Sequence, residues 1–474
     1  MSIPQPGAMT PTERRAAFSI AGIFSTRMLG LFMIFPVFAL FAEQEFENIT
    51  GTQIGIAIGI YGLTQALLQI PFGSLSDKFG RKPLIIVGML IFMLGSVVCA
   101  LAESIEMMIV GRALQGMGAV AAVLMASVAD LVREQYRLRA MSIVGMTIGL
   151  SFTLSLVAGP LLDAWIGVRG IFWVIAGLSL FGMLLVLFAL PKIENQTFQR
   201  EALTDKSQFA DVLKNRQLLR LDLGVFVLHA ILTAMFVVMP LMLRDSAQLE
   251  AVDHWHIYLP VMLLSFVLMV PFVIQAESKG RMKQVFVGAI ATIAMMQLAF
   301  IGFEMSFWML FALLLVFFTA FNLLEATLPS LVVKLSPADK KGTASGVYST
   351  SQFMGAAIGG ALGGYLYQHI GIEGVFMMTA VMAGFWVLIA MSMEKPQPLS
   401  IASVPVGDMS ESEYDALQQK LEQYEGVFEA VIVPTEQRAY FKIDRKLINE
   451  VTLIEYIELS SESLKRRESS LCEA

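Results

Sequence analysis

Charge is what this chain has least of. Only 15% of its 474 residues are Asp, Glu, Lys or Arg, against about 25% in an ordinary soluble domain. With 56% hydrophobic residues and a mean hydropathy of +0.69, a soluble globular protein is excluded. Cysteine is nearly absent. Cys99 lies in an apolar run and Cys472 in a polar tail, so no disulfide framework is expected. Without a Cys-x-x-Cys pair a soft-metal carrier site is not expected either, and neither a metal nor a cofactor is expected elsewhere. There is no P-loop motif for nucleotide. The basic residues are dispersed, so nucleic acid is not an expected partner. The apolar run at 17–41 is too long for the core of a cleavable leader and reads as a first membrane span.

Long apolar runs are what the chain has instead. Each is long enough to cross a bilayer as a helix. Twelve spans are predicted, at 17–41, 52–72, 84–102, 107–132, 140–162, 168–190, 219–243, 255–276, 284–303, 306–334, 343–368 and 373–393. The few charges are sorted by side. Loops after spans two, four, eight and ten carry Lys78, Arg81, Lys82, Arg133, Arg137, Arg139, Lys279, Arg281, Lys283, Lys334, Lys340 and Lys341. The opposite side carries Glu43, Glu45, Glu47, Glu103, Glu106, Glu250, Asp253 and Glu373, with only Arg169 and Arg244 against them. By the positive-inside rule both termini are cytoplasmic, and the lipid bilayer is the first partner; a bacterial inner membrane is the expected location.

The chain repeats itself. Pro71-Phe72, Asp77, Gly80 and Arg81 return as Pro271-Phe272, Glu277, Gly280 and Arg281, offset by 200 each time. A second echo pairs Ile166-Gly167-Val168-Arg169-Gly170 with Ile370-Gly371-Ile372-Glu373-Gly374. Weak internal symmetry in a hydrophobic chain is typical of transporter folds. The expected units are two six-helix halves, 1–190 and 219–394, joined by 191–218. In that linker Phe209, Val212 and Leu213, with Lys214 and Arg216, have the spacing of a short amphipathic helix on the inner membrane face; a plain turn is the alternative.

After 394 the composition changes. A linker at 395–402 leads to an expected β-α-β-β-α unit over 403–459, the pattern of a small ferredoxin-like α+β domain. Its elements are a short strand at Val404–Val406, a helix from the Ser410/Glu413 capping box through Tyr424, strands Val427–Val433 and Ala439–Ile443, and a helix Ile448–Leu459. Residues 460–474 are expected to be disordered. The unit reads as a module for self-association or for a regulatory ligand.

Between spans two and three stands Gly73-Ser74-Leu75-Ser76-Asp77-Lys78-Phe79-Gly80-Arg81-Lys82. Four charges and two glycines cannot sit in hydrocarbon, so this is a tight aqueous loop. Twelve spans with this Gly-x-Leu-x-Asp-x-x-Gly-Arg-Lys loop resemble the major facilitator superfamily; Gly73, Leu75, Asp77, Gly80, Arg81 and Lys82 fill its signature. With the added soluble unit the chain resembles the YajR type of drug:proton antiporter, whose appendage is called the YAM domain. The resemblance implies an all-α membrane fold of two pseudo-symmetric halves. It implies a secondary transporter and not an enzyme, with protons and a small-molecule substrate as partners. It also implies that Asp77 and Arg81 pair with Asp130 at the inner end of span four. Near the N-terminus of span eleven, where the helix dipole favours a carboxylate, that cluster would latch the inner mouth.

Charges inside spans are expensive, about 2.5–3.5 kcal/mol each at mid-bilayer on insertion scales, and so mark function by default. Arg27 lies in span one, Arg112 in span four, His229 in span seven and Glu325 in span ten. The segment around Arg112 resembles the superfamily's motif B, whose Arg is implicated in proton handling. Glu325 is the leading proton carrier, because burial moves a carboxylate toward neutral titration; His229 titrates there by nature. Polar packing between helices is the alternative for all four. Tyr61, Gln65, Gln69, Asn322 and Gln352 are polar candidates for a substrate cavity otherwise lined by Met and Phe. Glycine stripes at 51, 55 and 59 and at 355, 359 and 363 predict faces that let backbones approach closely, and the resemblance implies that spans two and eleven meet across the seam between halves. Span five ends in Gly159-Pro160 as in the antiporter motif C, but Ser155 and Asp163-Ala164 depart from that pattern. The function implied is proton-driven efflux of amphipathic, drug-like compounds by alternating access. A metabolite uniporter or importer of the same fold, or a non-transporting sensor signalling through 403–459, are the alternatives.

Overall fold

Proline and glycine decide how the predicted spans run. The computed structural model describes residues 9–192, 206–302, 305–336, 341–394, 400–406, 409–433 and 438–443, with positions 452, 455–457, 459 and 460. Helix α1 (Pro11–Phe32) opens on a capping box: Glu13 N–H donates to Thr10 Oγ1 at 3.2 Å and Thr10 N–H to the Glu13 carboxylate at 2.8 Å. Span one is not continuous to residue 41. It breaks at 33–37, around Pro36, and resumes as α2 (Phe38–Glu45). α3 (Gly51–Phe79) and α4 (Arg81–Ala100) flank the signature loop. Span four is also divided, into α5 (Ile105–Met117) and α6 (Ala121–Leu131). At the break Gly118 lies so close to α4 that a Cβ there would sit 2.3 Å from the Gly88 carbonyl.

Helix α7 runs Glu134–Leu184, 51 residues. At 1.5 Å per residue that is about 76 Å, more than twice the thickness of the hydrocarbon core, so it cannot be one span. Gly167, at φ 68°, divides it into spans five and six. After α8 (Lys206–Lys214) the second half comprises α9 (Arg216–Asp245), α10 (Trp255–Ser278), α11 (Met282–Gly302), α12 (Phe307–Leu335), α13 (Lys341–Ile370) and α14 (Ile372–Met391). α8 stands where the linker helix is expected. Among the described residues nine helices are long and apolar enough to cross a membrane. One of the nine contains the kink at Gly167. Absent from the nine are broken span one and α13, whose glycines and polar side chains dilute its hydropathy.

The duplication is visible in the backbone. Left-handed glycines come in pairs at the repeat offsets: Gly80 (φ 95°) with Gly280 (φ 64°), and Gly167 (φ 68°) with Gly371 (φ 90°). Each lies where one helix gives way to the next, in a backbone conformation that only glycine adopts without a steric penalty.

The seam between halves is backbone on backbone. A Cβ on Gly55 would lie 2.1 Å from the Gly360 carbonyl, and one on Gly364 2.3 Å from that of Gly51. The stripe at Gly51, Gly55 and Gly59 therefore faces α13, as the resemblance implies. The stripe at Gly355, Gly359 and Gly363 does not face α3. It packs on α9 of its own half, where Cβ atoms on Gly355 and Gly359 would meet the Phe226 and Ala230 carbonyls at 2.1 Å. Neighbouring helix positions differ by about 100°, so Ala357, Gly360 and Gly364 supply the face that meets the first half. α13 is thus pressed between α3 and α9.

The C-terminal unit is a three-stranded antiparallel sheet, β1 (Ser400–Pro405), β2 (Val427–Val433) and β3 (Arg438–Ile443), in the order β1-β3-β2 with α15 (Glu411–Glu422) packed on it. The first strand begins four residues earlier than expected. Leu417, Leu421, Ala430, Phe441 and Ile443 form its core. The expected helix at 448–459 and the tail fall largely outside the described residues.

Candidate functional site

The signature loop is built by the two helices that meet at Gly80. Its φ of 95° turns the chain from α3 into α4 and sets Arg81 back over the last turn of α3. There the buried Arg81 guanidinium pairs with Asp77, donates from Nε to Asp130 Oδ2 at 2.9 Å, and donates from Nη1 to Ser76 Oγ at 2.5 Å. Ser76 Oγ in turn donates to the Gly73 carbonyl at 2.6 Å. Lys82 faces away from this cluster and donates to the Leu190 carbonyl at 2.6 Å, tying the loop to the end of span six. Asp77, Arg81 and Asp130 are therefore one cluster. The residues preceding α13, where the resemblance places a further contact, lie outside the described set.

A second rim clamp joins α1 to the loop before α7. Arg133 donates to Glu13 from Nε at 2.7 Å and from Nη2 at 3.0 Å. Glu13 precedes the apolar run of span one, and the Arg133 guanidinium holds its carboxyl at about 2, down from 4.5.

At the outer end the bonds cross between halves. Glu43 of α2 accepts from Arg244 of α9 and from the Tyr367 hydroxyl of α13, each at 3.1 Å. Thr52 of α3 donates its backbone N–H to Gln368 Oε1 at 3.3 Å. Phe35 and Phe236 pack beneath at 5.3 Å between ring centroids. Gly159 of span five presses against the break in span one, where its Cβ would meet the Met33 carbonyl at 2.4 Å. These contacts join the two halves at the outer end.

The intramembrane charges fall into two groups. In the first half Arg27 and Arg112 are fully buried. Arg27 Nη2 donates to Tyr61 Oη at 3.0 Å and to Gln65 Oε1, and Gln65 Nε2 contacts Gln69 Oε1 at 3.5 Å. Arg112 donates from Nη1 to Gln115 Oε1 at 2.7 Å and from Nε to the Ala57 carbonyl at 3.3 Å. Tyr61 and Gln65 thus hold the Arg27 guanidinium here, and Gln69 contacts Gln65.

In the second half His229 and Glu325, separate in sequence, come together. His229 Nε2 lies 3.7 Å from Glu325 Oε2, and Gln352 Nε2 donates to His229 Nε2 at 2.8 Å. His229 Nδ1 lies 3.1 Å from the Val225 carbonyl. Glu325 is more open than the sequence suggests: its side chain is 37% exposed, although Oε2 has no hydrogen-bond partner. Asn322 Nδ2 donates to Ser265 Oγ at 2.9 Å and is buried, a helix-to-helix bond between α12 and α10.

Two residues escape the sequence reading. Asp222, buried on α9, has Oδ2 without a partner, and Tyr348, buried on α13, has its hydroxyl without one. Asp222 lies so near the end of span seven that it reads as an interface charge. Only packing against α13 reveals it as interior.

With this geometry in place, comparison with known proteins is decisive. The model of the Major Facilitator Superfamily matches residues 20–359 and 261–433. The chain belongs to the major facilitator superfamily. The model of the YajR YAM domain matches 409–458. The Escherichia coli (strain K12) inner membrane transport protein YajR is 44% identical over 93% of this chain and 96% of its own length. Multidrug resistance protein MdtH of Cronobacter sakazakii is 26% identical, covering 72% of this chain and 84% of that one. A bacterial homologue of the human lysosomal transporter Spinster, solved inward-facing and occupied, shares the fold with a TM-score of 0.64 at 13% identity, over 81% of this chain and 96% of that one. This superfamily member is a multi-pass membrane protein and a secondary transporter, with a small molecule as cargo.

Proposed function

We propose that the chain is a proton-driven exporter of amphipathic compounds, working by alternating access in a bacterial inner membrane. The observation that carries this is the approach of His229 to Glu325 at 3.7 Å, with Glu325 half-exposed inside α12. A carboxylate that reaches both an imidazole and the interior can load a proton in one state and release it in the other. Asp222, buried seven residues or about 10 Å nearer the inner end of α9 than His229, would be a second station for the proton. Asp77, Arg81 and Asp130 form the inner latch: protonating Asp77 removes one of Arg81's two carboxylates and loosens the end of α3. The likeness to YajR and to a multidrug resistance protein supports the amphipathic cargo and the inner-membrane location.

One proton moving inward through 100 mV releases about 2.3 kcal/mol, enough for a roughly fiftyfold outward gradient of a neutral compound exchanged one for one. The test is efflux of fluorescent amphipaths from proteoliposomes with and without an imposed proton gradient. Gradient-dependent efflux that disappears in Glu325→Gln is expected. Efflux indifferent to the gradient would leave a uniporter.

A further inference from the structure

We infer that Arg27, Tyr61 and Gln65, backed by Arg112, form a binding site for the anionic head of an organic acid, so that the preferred cargo is an amphipathic anion. The inference deepens the transport reading, on which it rests. Arg27 and Arg112 flank the ring of Tyr61, at 6.0 and 5.3 Å from its centroid. Both are wholly buried, and among the described residues no carboxylate pairs with either.

A guanidinium carries five N–H donors and does not lose its charge. Arg27 spends Nη2 on Tyr61 and Gln65, leaving Nε and Nη1 without partners; Arg112 leaves Nη2 without one. Two uncompensated cations with bare donors are costly to bury, unlike Arg81 and Arg133, which each hold carboxylates. A carboxylate head would supply the missing charge and acceptors. The ring of Phe92, 5.6 Å from the Arg27 guanidinium, offers an apolar wall for the attached body. Because Arg27 is sealed between α1, α3 and α4 here, the ligand reaches it only when those helices part.

The experiment measures binding to the full-length protein in neutral detergent, using thermal shift and competition, with no proton gradient. The probes are naphthoate, naphthol and naphthylmethylammonium, which share a body and differ in charge; inorganic phosphate and the anionic lipid phosphatidylglycerol are further arms. The expected result is that naphthoate binds and the ammonium does not. Arg27→Gln should weaken naphthoate by about tenfold or more, and Arg27→Lys should recover part of that loss. Equal binding of the three naphthyl probes, unchanged naphthoate binding in Arg27→Gln, or binding of phosphate or lipid alone would each overturn the inference. If Arg27→Gln does not fold, the charge series on the unmodified protein still decides. Since no gradient is used, failure here is distinct from failure of proton coupling.

Discussion

In the first half the charges inside the spans are Arg27 and Arg112, held by Tyr61, Gln65 and Gln115. In the second they are Asp222, which is buried, and Glu325, which is partly exposed and approaches His229. The two halves repeat each other in backbone, down to the paired left-handed glycines, yet hold opposite kinds of charge. A guanidinium keeps its proton at any physiological pH, whereas an imidazole or a buried carboxylate can give one up. In the proposed mechanism the intramembrane arginines of the first half supply a fixed field, the carboxylates and imidazole of the second half carry the proton, and Asp77 acts separately at the inner rim.

That comparison breaks most violently at the seam. Gly55→Leu would drive a side chain into the Gly360 carbonyl, whereas a Cβ on Gly288 would meet nothing within 4 Å. Overpacking costs about 1–3 kcal/mol even where neighbours can adjust, and backbone cannot. Gly55→Leu should lose most monodisperse protein on size-exclusion chromatography, and Gly288→Leu should not.

Next comes the switch itself. Asp222→Asn should lower proton-coupled efflux by about a hundredfold, the low end of general acid–base contributions, while Arg112→Lys, which keeps the fixed charge, should retain more of it. Equal losses in rate and gradient dependence would erase the division between halves. A smaller effect is expected at the rims. Glu43→Gln weakens the bonds to Arg244 and Tyr367. Labelling of Thr52→Cys by an impermeant maleimide should then rise about two- to fivefold, the scale of a partly exposed ion pair. Asp77→Asn should slow transport without lowering the amount inserted.

The smallest effect is at Glu13. Its folded carboxyl titrates at about 2 against 4.5. The pair with Arg133 therefore stabilises the fold above about pH 4.5 and is lost as pH falls toward about 2. Thermal unfolding followed from about pH 7 to about pH 3 should show a difference between Glu13→Gln and the parent protein that is constant at neutral pH and shrinks only below about pH 4.5. A difference that shrinks between about pH 6 and about pH 7 would point to another group.

Much of the architecture is legible in the sequence because a bilayer constrains it so strongly: run length gives spans, loop charge gives sidedness, and the offset of 200 gives the duplication. The breaks in spans one and four are less legible, since Pro36 and Gly118 act through what packs on them. The glycine stripe of span eleven is readable as a stripe but not as a direction. One residue along the helix, or about 100°, separates the face toward α3 from the face toward α9. In the site, single charges stand out by their cost, but partnership does not. His229 and Glu325 are 96 positions apart, and nothing in either segment points at the other. Asp222 and Tyr348 have no signal short of the packing that buries them.

The most direct measurement is substrate-driven proton movement in proteoliposomes, comparing the parent protein with Glu325→Gln while following pH inside with a trapped indicator. Substrate-dependent alkalinisation or acidification in the parent, abolished in the variant although it still binds the same compound, is the result predicted. Proton movement of equal size in both would contradict the assignment of the switch to the second half.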